Sequence, residues 1–317
     1  MCCYLSVLVP PAVLPFAVLL GYCIPAVVGA NIIMLLAMRR LWSVLITVAG
    51  IPFVLGTVQV SSAVPASEDS FSLLSFNAKL FRRPGSYREF SMEMIDWTAA
   101  DPADIKVIPE HSTDSRWQRL DVNGKIRSHG YNAYSVSSPV KGNEYHHGSA
   151  IFSKFATVGT GIVFTDSISI SMAIFEDLLI RKDTIRVYSV HLASMKLESY
   201  GGVIETCRKL MTGAVKRSMQ LDKIVESIKE CRYPFIVAGD FNETPYSYNY
   251  WRVRRYAKDC FVDEGNGFGF SFNTRTPVAR IDYMFVNDGI EVEEFDVERQ
   301  MRISDHFPIR GRFRVSK

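Results

Sequence analysis

Residues 1–66 of this 317-residue chain hold only two charged side chains, Arg39 and Arg40, and the first acidic residue is Glu68. Helices at a water-facing surface need a polar face, and neither apolar run in this stretch has one. The first run, Leu5 to Met38, exceeds the apolar core of a secretory signal, which is about 7–15 residues. It reads as one kinked span or two short ones broken near Gly21 and Pro25, because Pro10, Pro11 and Pro15 disfavour a straight helix. The second run, Leu41 to Val60, holds 20 residues, matching the length needed to cross a hydrocarbon core. Arg39 and Arg40 in the connection place it on the cytoplasmic side. The second helix then runs outward, and everything after residue 66 lies outside the cytoplasm. Residues 1–62 thus read as a transmembrane anchor of two or three spans, 63–70 as a linker, and 71–317 as one domain of ordinary size.

The net charge is +3. Two of those charges are Arg39 and Arg40, so the part beyond the anchor is near +1. That balance does not suit a strongly basic nucleic-acid binder. Of the six cysteines, Cys2, Cys3 and Cys23 fall in the anchor and Cys207, Cys231 and Cys260 in the domain. No CxxC or Cys/His spacing appears, so they read as packing residues and not as a zinc site.

The domain alternates strands and helices. Strands are expected at 71–77, 105–108, 149–153, 173–180, 184–190, 235–238, 281–286 and 307–313. Helices are expected at 87–100, 203–229 and 247–257. Residues 112–149 read as polar and irregular, punctuated by glycines. The pattern predicts mixed α/β layers around one or two sheets.

Several apolar runs end in a side chain able to handle protons or metal. LLSF runs into Asn77, IKVIP into Glu110, VYSV into His191, and FIVAG into Asp240 and Asn242. Arg280-Ile281-Asp282-Tyr283 and Ser304-Asp305-His306 complete the set. One such ending is a turn, since Asp and Asn favour turns. Six in order suggest a site at one edge of a sheet pair. With SFN (75–77), PEH (109–111), VHL (190–192), GDFN (239–242), RIDY (280–283) and SDH (304–306), residues 71–315 resemble the endonuclease/exonuclease/phosphatase superfamily. The nearest likeness is to its membrane-anchored members in bacteria of the Bacteroidetes type. The resemblance implies a two-sheet α/β sandwich (DNase I-like), here preceded by transmembrane helices, and metal-dependent cleavage of phosphate esters.

The implied roles follow the chemistry. Cleavage needs a cation against developing charge, a base for water, and donors to phosphoryl oxygens. Glu110 is the expected direct ligand of Mg²⁺ (or Mn²⁺), with Asn77 holding it or a metal-bound water and Asp305 beside the metal; hard Mg²⁺ prefers oxygen ligands. Asp240 and Asn242, two apart on an extended stretch, should face one way while Phe241 faces the core. Asp240 would orient or deprotonate water, and Asn242 would donate to a phosphate oxygen. His306 and Asp282 form the expected dyad, the imidazole being either base or charged stabiliser. His191 would donate to the phosphate or leaving oxygen. His111, His129, His146 and His147 match no motif and read as loop residues. Lys79, Arg82 and Arg83 read as a solvated charge run. Two departures stand out: Lys79 replaces the carboxylate or amide found two residues after the strand-end Asn in exonuclease III-like repair enzymes, and Pro109 replaces the frequent Gln before the metal Glu.

Together these features favour a membrane-integral, Mg²⁺-dependent phosphoesterase with a phospholipid headgroup or small phosphate ester as substrate. A nuclease is the alternative, with nucleic acid entering only as substrate. A binding module without activity is the alternative of another class, since fold alone never proves activity. A channel or transporter fails on span count and on the lack of intramembrane acidic residues. With the expected topology, protease added outside intact cells should reach the domain; cleavage only after lysis would reverse the orientation.

Overall fold

The computed structural model describes residues 2–38, 41–61, 67–86, 88–139, 146–195, 202–273 and 279–316. Arg39 and Arg40, which carry the orientation, lie outside the described residues, as do 62–66 of the linker region.

Two six-stranded sheets form the domain. The first runs, in spatial order, β13 (Ile290–Val297), β14 (Ile309–Val315), β2 (Phe71–Ser75), β3 (Ile105–His111), β5 (Gly148–Ser153) and β4 (Asn132–Ser137). The second runs β10 (Lys258–Asp259), β12 (Asp282–Val286), β9 (Phe235–Asp240), β8 (Asp183–His191), β7 (Met172–Ile180) and β6 (Ala156–Thr165). Neighbours are antiparallel except β2/β3 and β8/β9, which are parallel. The sheets pack face to face through Leu73, Val107 and Ile151 from one and Ile174, Val187 and Ile236 from the other. This is the expected two-sheet α/β sandwich.

The outer faces are also apolar, which is why the central strands read as unbroken hydrophobic runs. On the first sheet, α4 (Met92–Ala100) and α5 (Val122–Arg127) cover Leu74, Ile108 and Phe152. Ser91 caps α4 by accepting from the Met94 N–H, and Asp121 caps α5 by accepting from Gly124. On the second sheet, α6 (Gly202–Glu230) buries Leu221, Ile224, Val225 and Ile228 at helical spacing. Two short helices follow, α7 (Tyr248–Arg254) and α8 (Cys260–Glu264). The region 112–149 is thus not irregular throughout, since it contains α5 and β4.

The N-terminal segment forms α1 (Leu5–Leu8), α2 (Ala17–Met38) and α3 (Leu41–Leu55). Among the described residues one stretch, Ala17–Ala37, is a helix long and apolar enough to cross a membrane. The second apolar run is not one helix: α3 ends at Leu55, and β1 (Val58–Gln59) pairs with β11 (Gly267–Phe268) of the domain. The base of this segment is docked. Ser6 Oγ donates to the Tyr246 carbonyl at 2.8 Å, Gly269 N–H donates to the Thr57 carbonyl at 2.9 Å, and Arg280 Nε donates to the Gly56 carbonyl at 2.9 Å. Gly21 permits the approach, because a Cβ there would lie 3.0 Å from the Tyr246 carbonyl oxygen.

His111 is not a loop residue. It ends β3, is buried, and packs against Phe81 and Phe152. Burial, with the neighbouring His147, lowers its pKa from 6.5 to about 3. Between those values the unfolded chain binds a proton that the folded chain refuses, so stability falls as pH falls through that window, by about 1.4 kcal/mol per pH unit. The urea-midpoint advantage of His111→Phe over wild type should therefore widen from near pH 7 to near pH 5. A gap that stays constant would contradict a buried neutral imidazole.

Candidate active site

Strand register builds half of the site. Across β8, β9 and β12, His191 is paired with Asp240 and Asp240 with Asp282, so the three lie in one row at a sheet end. Gly239 lets β9 approach β8 there: its φ is +140°, and a Cβ would lie 2.0 Å from the Val190 carbonyl oxygen. The chain then turns. Asn242 is left-handed at φ +50°, a conformation Asn tolerates. Its N–H donates to Asp240 Oδ1 at 2.8 Å, and its Nδ2 donates to Asp240 Oδ2 at 3.0 Å. The two side chains do converge and Phe241 does enter the core. A turn brings them together, and not the extended stretch that the spacing suggested.

The other half comes from the first sheet. Asn77 lies two residues past β2, and Glu110 sits in a bulge of β3 at φ +49°, flanked by Pro109 and His111. A bulge leaves one residue unpaired and re-aims its side chain. Asn77 Nδ2 donates to Glu110 Oε1 at 3.2 Å and to Asp240 Oδ2 at 3.0 Å, joining carboxylates from the two sheets. His191 Nε2 lies 3.3 Å from Glu110 Oε1 and 4.0 Å from Asp240 Oδ2.

His306 completes the group. Its Nδ1 is 2.8 Å from Asp282 Oδ2 and its Nε2 is 3.8 Å from Asp240 Oδ2. An ionised Asp282 can only accept, so Nδ1 carries the proton of that bond. Ser271 Oγ accepts from the N–H groups of Ile281 and Asp282, fixing the partner. Ser304 Oγ donates to the Asn77 carbonyl at 3.0 Å, tying the last motif to the first.

The electrostatics separate the roles. Burial would lower the His306 pKa, but Asp282 and Asp240 outweigh it and raise the value to about 10. His191 is also raised: burial acts downward, and Glu110 more than reverses it. Burial would push Glu110 up, but the adjoining His191 and the Asn77 amide hold it at about 2. Burial raises Asp240 to about 6 against the pull of His306. The site therefore holds two imidazolium-prone rings around one carboxylate poised near neutrality and one firmly ionised.

Glu110, His191 and Asp240 offer ligand atoms that all lie within 4.8 Å of one another, as do Asp240, Asp282 and His306. Buried His191 Nε2 has no aligned hydrogen-bond partner. In the second trio His306 is already bonded to Asp282. The trio with Glu110 is the better fit for a divalent ion, with Glu110 and Asp240 as its oxygen ligands, Asn77 behind them and His191 Nε2 facing them as a donor. Asp305 joins neither trio. Its carboxylate is bonded by Lys79 Nζ at the site edge, so Lys79 is part of the site surroundings and not of a solvated charge run. Lys79, Leu80 and Phe81 all have positive φ.

Sequence reasoning passed over the layer beneath. Buried Arg217 donates from Nε to Glu243 Oε1 at 2.7 Å, and Asn249 Nδ2 donates to the same oxygen at 2.7 Å. Buried Arg280 donates to Asp259 Oδ2 at 2.7 Å. The residue following GDFN is Glu243, and this adjacency was the one available signal.

A DNase I-like sandwich with a His–Asp dyad, a second His and convergent Asn and Glu side chains defines a hydrolase of phosphate esters. The endonuclease/exonuclease/phosphatase family pattern matches residues 74–306, and the chain belongs to that family. Its members generally use divalent metals. Similar solved structures include an endonuclease/exonuclease/phosphatase from Beutenbergia cavernae (17% identity, 78% of this chain and 72% of that one, TM-score 0.58). The human nocturnin catalytic domain with bound sulfate is similar at 17% identity, 81% and 97% coverage and TM-score 0.58. The Neisseria 3′ phosphatase NExo bound to a product DNA hairpin follows at 14%, 76% and 98%, and 0.54. No curated protein matches the chain in sequence.

Gly239→Ala should lower the thermal midpoint and cut phosphate-ester turnover together, because its Cβ cannot fit against β8; a variant with the wild-type midpoint would contradict this packing.

Proposed function

We propose that this protein is a membrane-anchored, divalent-metal-dependent phosphoesterase, with Mg²⁺ the favoured ion and Mn²⁺ the substitute, acting outside the cytoplasm. The observation that carries the reading is the placement of the Asp240 carboxylate between His191 and His306, with Glu110 joined to it through Asn77. The long apolar helix supports the anchor.

A divalent ion held by Glu110, beside Asn77 and His191, would offset charge on the phosphoryl oxygens. Asp240 orients the attacking water and takes its proton, a task suited to a carboxylate poised near neutrality. The water oxygen bonds to phosphorus as the ester P–O bond breaks, and the leaving oxygen receives a proton. His306, kept cationic by Asp282, provides a donor to the phosphate oxygens; the Asn242 amide, expected to do the same, instead commits its two hydrogens to Asp240 Oδ2 and the Leu192 carbonyl and so holds Asp240 in place. His191 donates to the phosphate or leaving oxygen.

A phospholipid headgroup or small phosphate ester is favoured by the near-neutral domain and the anchor. Nuclease activity is the second reading, supported by the DNA hairpin bound to the Neisseria phosphatase. Hydrolysis of bis-(p-nitrophenyl) phosphate, p-nitrophenyl phosphate, sphingomyelin and plasmid DNA, with Mg²⁺ and with EDTA, separates these. Metal-dependent turnover of at least one is expected, and none by folded protein would point to a binding module. Asp240→Ala and His306→Ala should each remain folded and lose about a thousandfold in turnover. Near-normal rates in either variant would sink the mechanism.

A further inference from the structure

A cleft of about 640 Å³ opens from Glu110 and His191. One wall is α6, through Arg208, Lys209, Gly213 and Lys216; the other is the segment Ser169–Ser171. Lys216 is ion-paired with Asp166 at 2.5 Å and Arg208 with Glu205 at 2.8 Å. On α6 the cleft is lined by three cations, Arg208, Lys209 and Lys216, and one carboxylate, Glu205, which also lies 3.9 Å from Lys209, so this wall is basic and suited to a phosphate.

The same helix touches the apolar N-terminal segment. Leu210 packs with Met195 against Leu19 and Tyr22 of α2, and the Tyr22 hydroxyl lies 3.3 Å from Met195 Sδ. Helical spacing puts Val203 on the face of Leu210, about 10 Å further toward the α6 N-terminus. Among the described residues none covers that face there: Val203 is 81% and Ile204 86% exposed. Across the cleft Ile168, next to lining Ser169, is 80% exposed. The first turns of α6 therefore set aliphatic side chains beside Glu205, Arg208 and Lys209, the amphipathic pattern of a helix lying in a membrane interface. Beyond its contact with Leu210, α2 is itself exposed and apolar along Ile32, Ile33 and Leu36.

We propose that this cleft is an interfacial site for the phosphate ester of a membrane phospholipid. Val203, Ile204 and Ile168 rest in the bilayer surface, and the lipid phosphate enters past the basic wall to Glu110 and His191. The inference rests on the phosphoesterase reading above and narrows its substrate. Water adds across one P–O ester bond, its oxygen staying on phosphorus and a proton passing to the leaving oxygen, so one product stays in the leaflet.

The test uses full-length protein in vesicles of phosphatidylcholine and phosphatidylglycerol. Release of water-soluble product from the lipid and hydrolysis of added bis-(p-nitrophenyl) phosphate are measured in the same preparation. Wild type should turn over both. Val203→Asp/Ile204→Asp should lose about tenfold or more on lipid while keeping its rate on the soluble ester, which also reports folding. Ile168→Asp, on the opposite bank, should do the same and is the second variant if the first does not fold. Soluble-ester turnover without lipid hydrolysis, or full lipid rates in a folded variant, would overturn the interfacial site and leave the phosphoesterase reading standing. Wild type inactive on both would remove that reading and this one with it.

Discussion

The two hydrogens of the Asn77 amide are the joint of the molecule. One goes to Glu110 of its own sheet and the other to Asp240 of the facing sheet. Two buried carboxylates so close would repel and lose their hydration unless donors and positive charge met them. Asn77 just past β2, His191 ending β8 and His306 ahead of β14 meet them, with the positive charge on His306. The sandwich must therefore close with its strand ends in register for the carboxylates to be tolerated. Site and fold depend on the same contacts.

Beneath that joint lies a second layer of buried charge. Arg217 with Glu243, and Arg280 with Asp259, are ion pairs almost wholly removed from water. Each arginine also donates to a backbone carbonyl, Ala193 for Arg217 and Gly56 for Arg280. Breaking one partner of such a pair leaves an uncompensated charge, at a cost of about 3–5 kcal/mol. The Arg280 bond is the notable one, because Gly56 belongs to the segment that follows the apolar helices. The N-terminal helices are thus bound into the same polar framework that supports Asp240 and Asp282.

How much of this was legible in the sequence follows from burial. The central strands β2, β3, β5, β7, β8, β9, β12 and β14 were visible as apolar runs because both of their faces are covered. Within the two large sheets the strands that escaped notice, β4, β6, β10 and β13, are the four edges, and the two-residue strands β1 and β11 escaped as well. Edge strands carry water-facing residues such as Glu291 of β13 and Thr157 and Thr160 of β6, so they lack the hydrophobic signal. The site was legible for the same reason that the central strands were, since a carboxylate or imidazole directly after a buried run is conspicuous. Asp282 with His306, and Asp240 with Asn242, came together as the motifs implied. The pairing of Asp305 with Lys79 did not show, because the two lie 226 residues apart and no spacing rule links them. Burial of His111 was hidden by its place one residue past a bulge.

The central claim is that Glu110, from one sheet, and Asp240, from the other, act around one divalent ion. Anomalous scattering from crystals grown with Mn²⁺ tests it most directly. The account predicts a peak within bonding distance of a Glu110 oxygen, on the side facing His191 and Asp240, and its loss in Glu110→Gln. A peak elsewhere, at Asp305 away from Glu110 for example, or one unchanged in the variant, would contradict it.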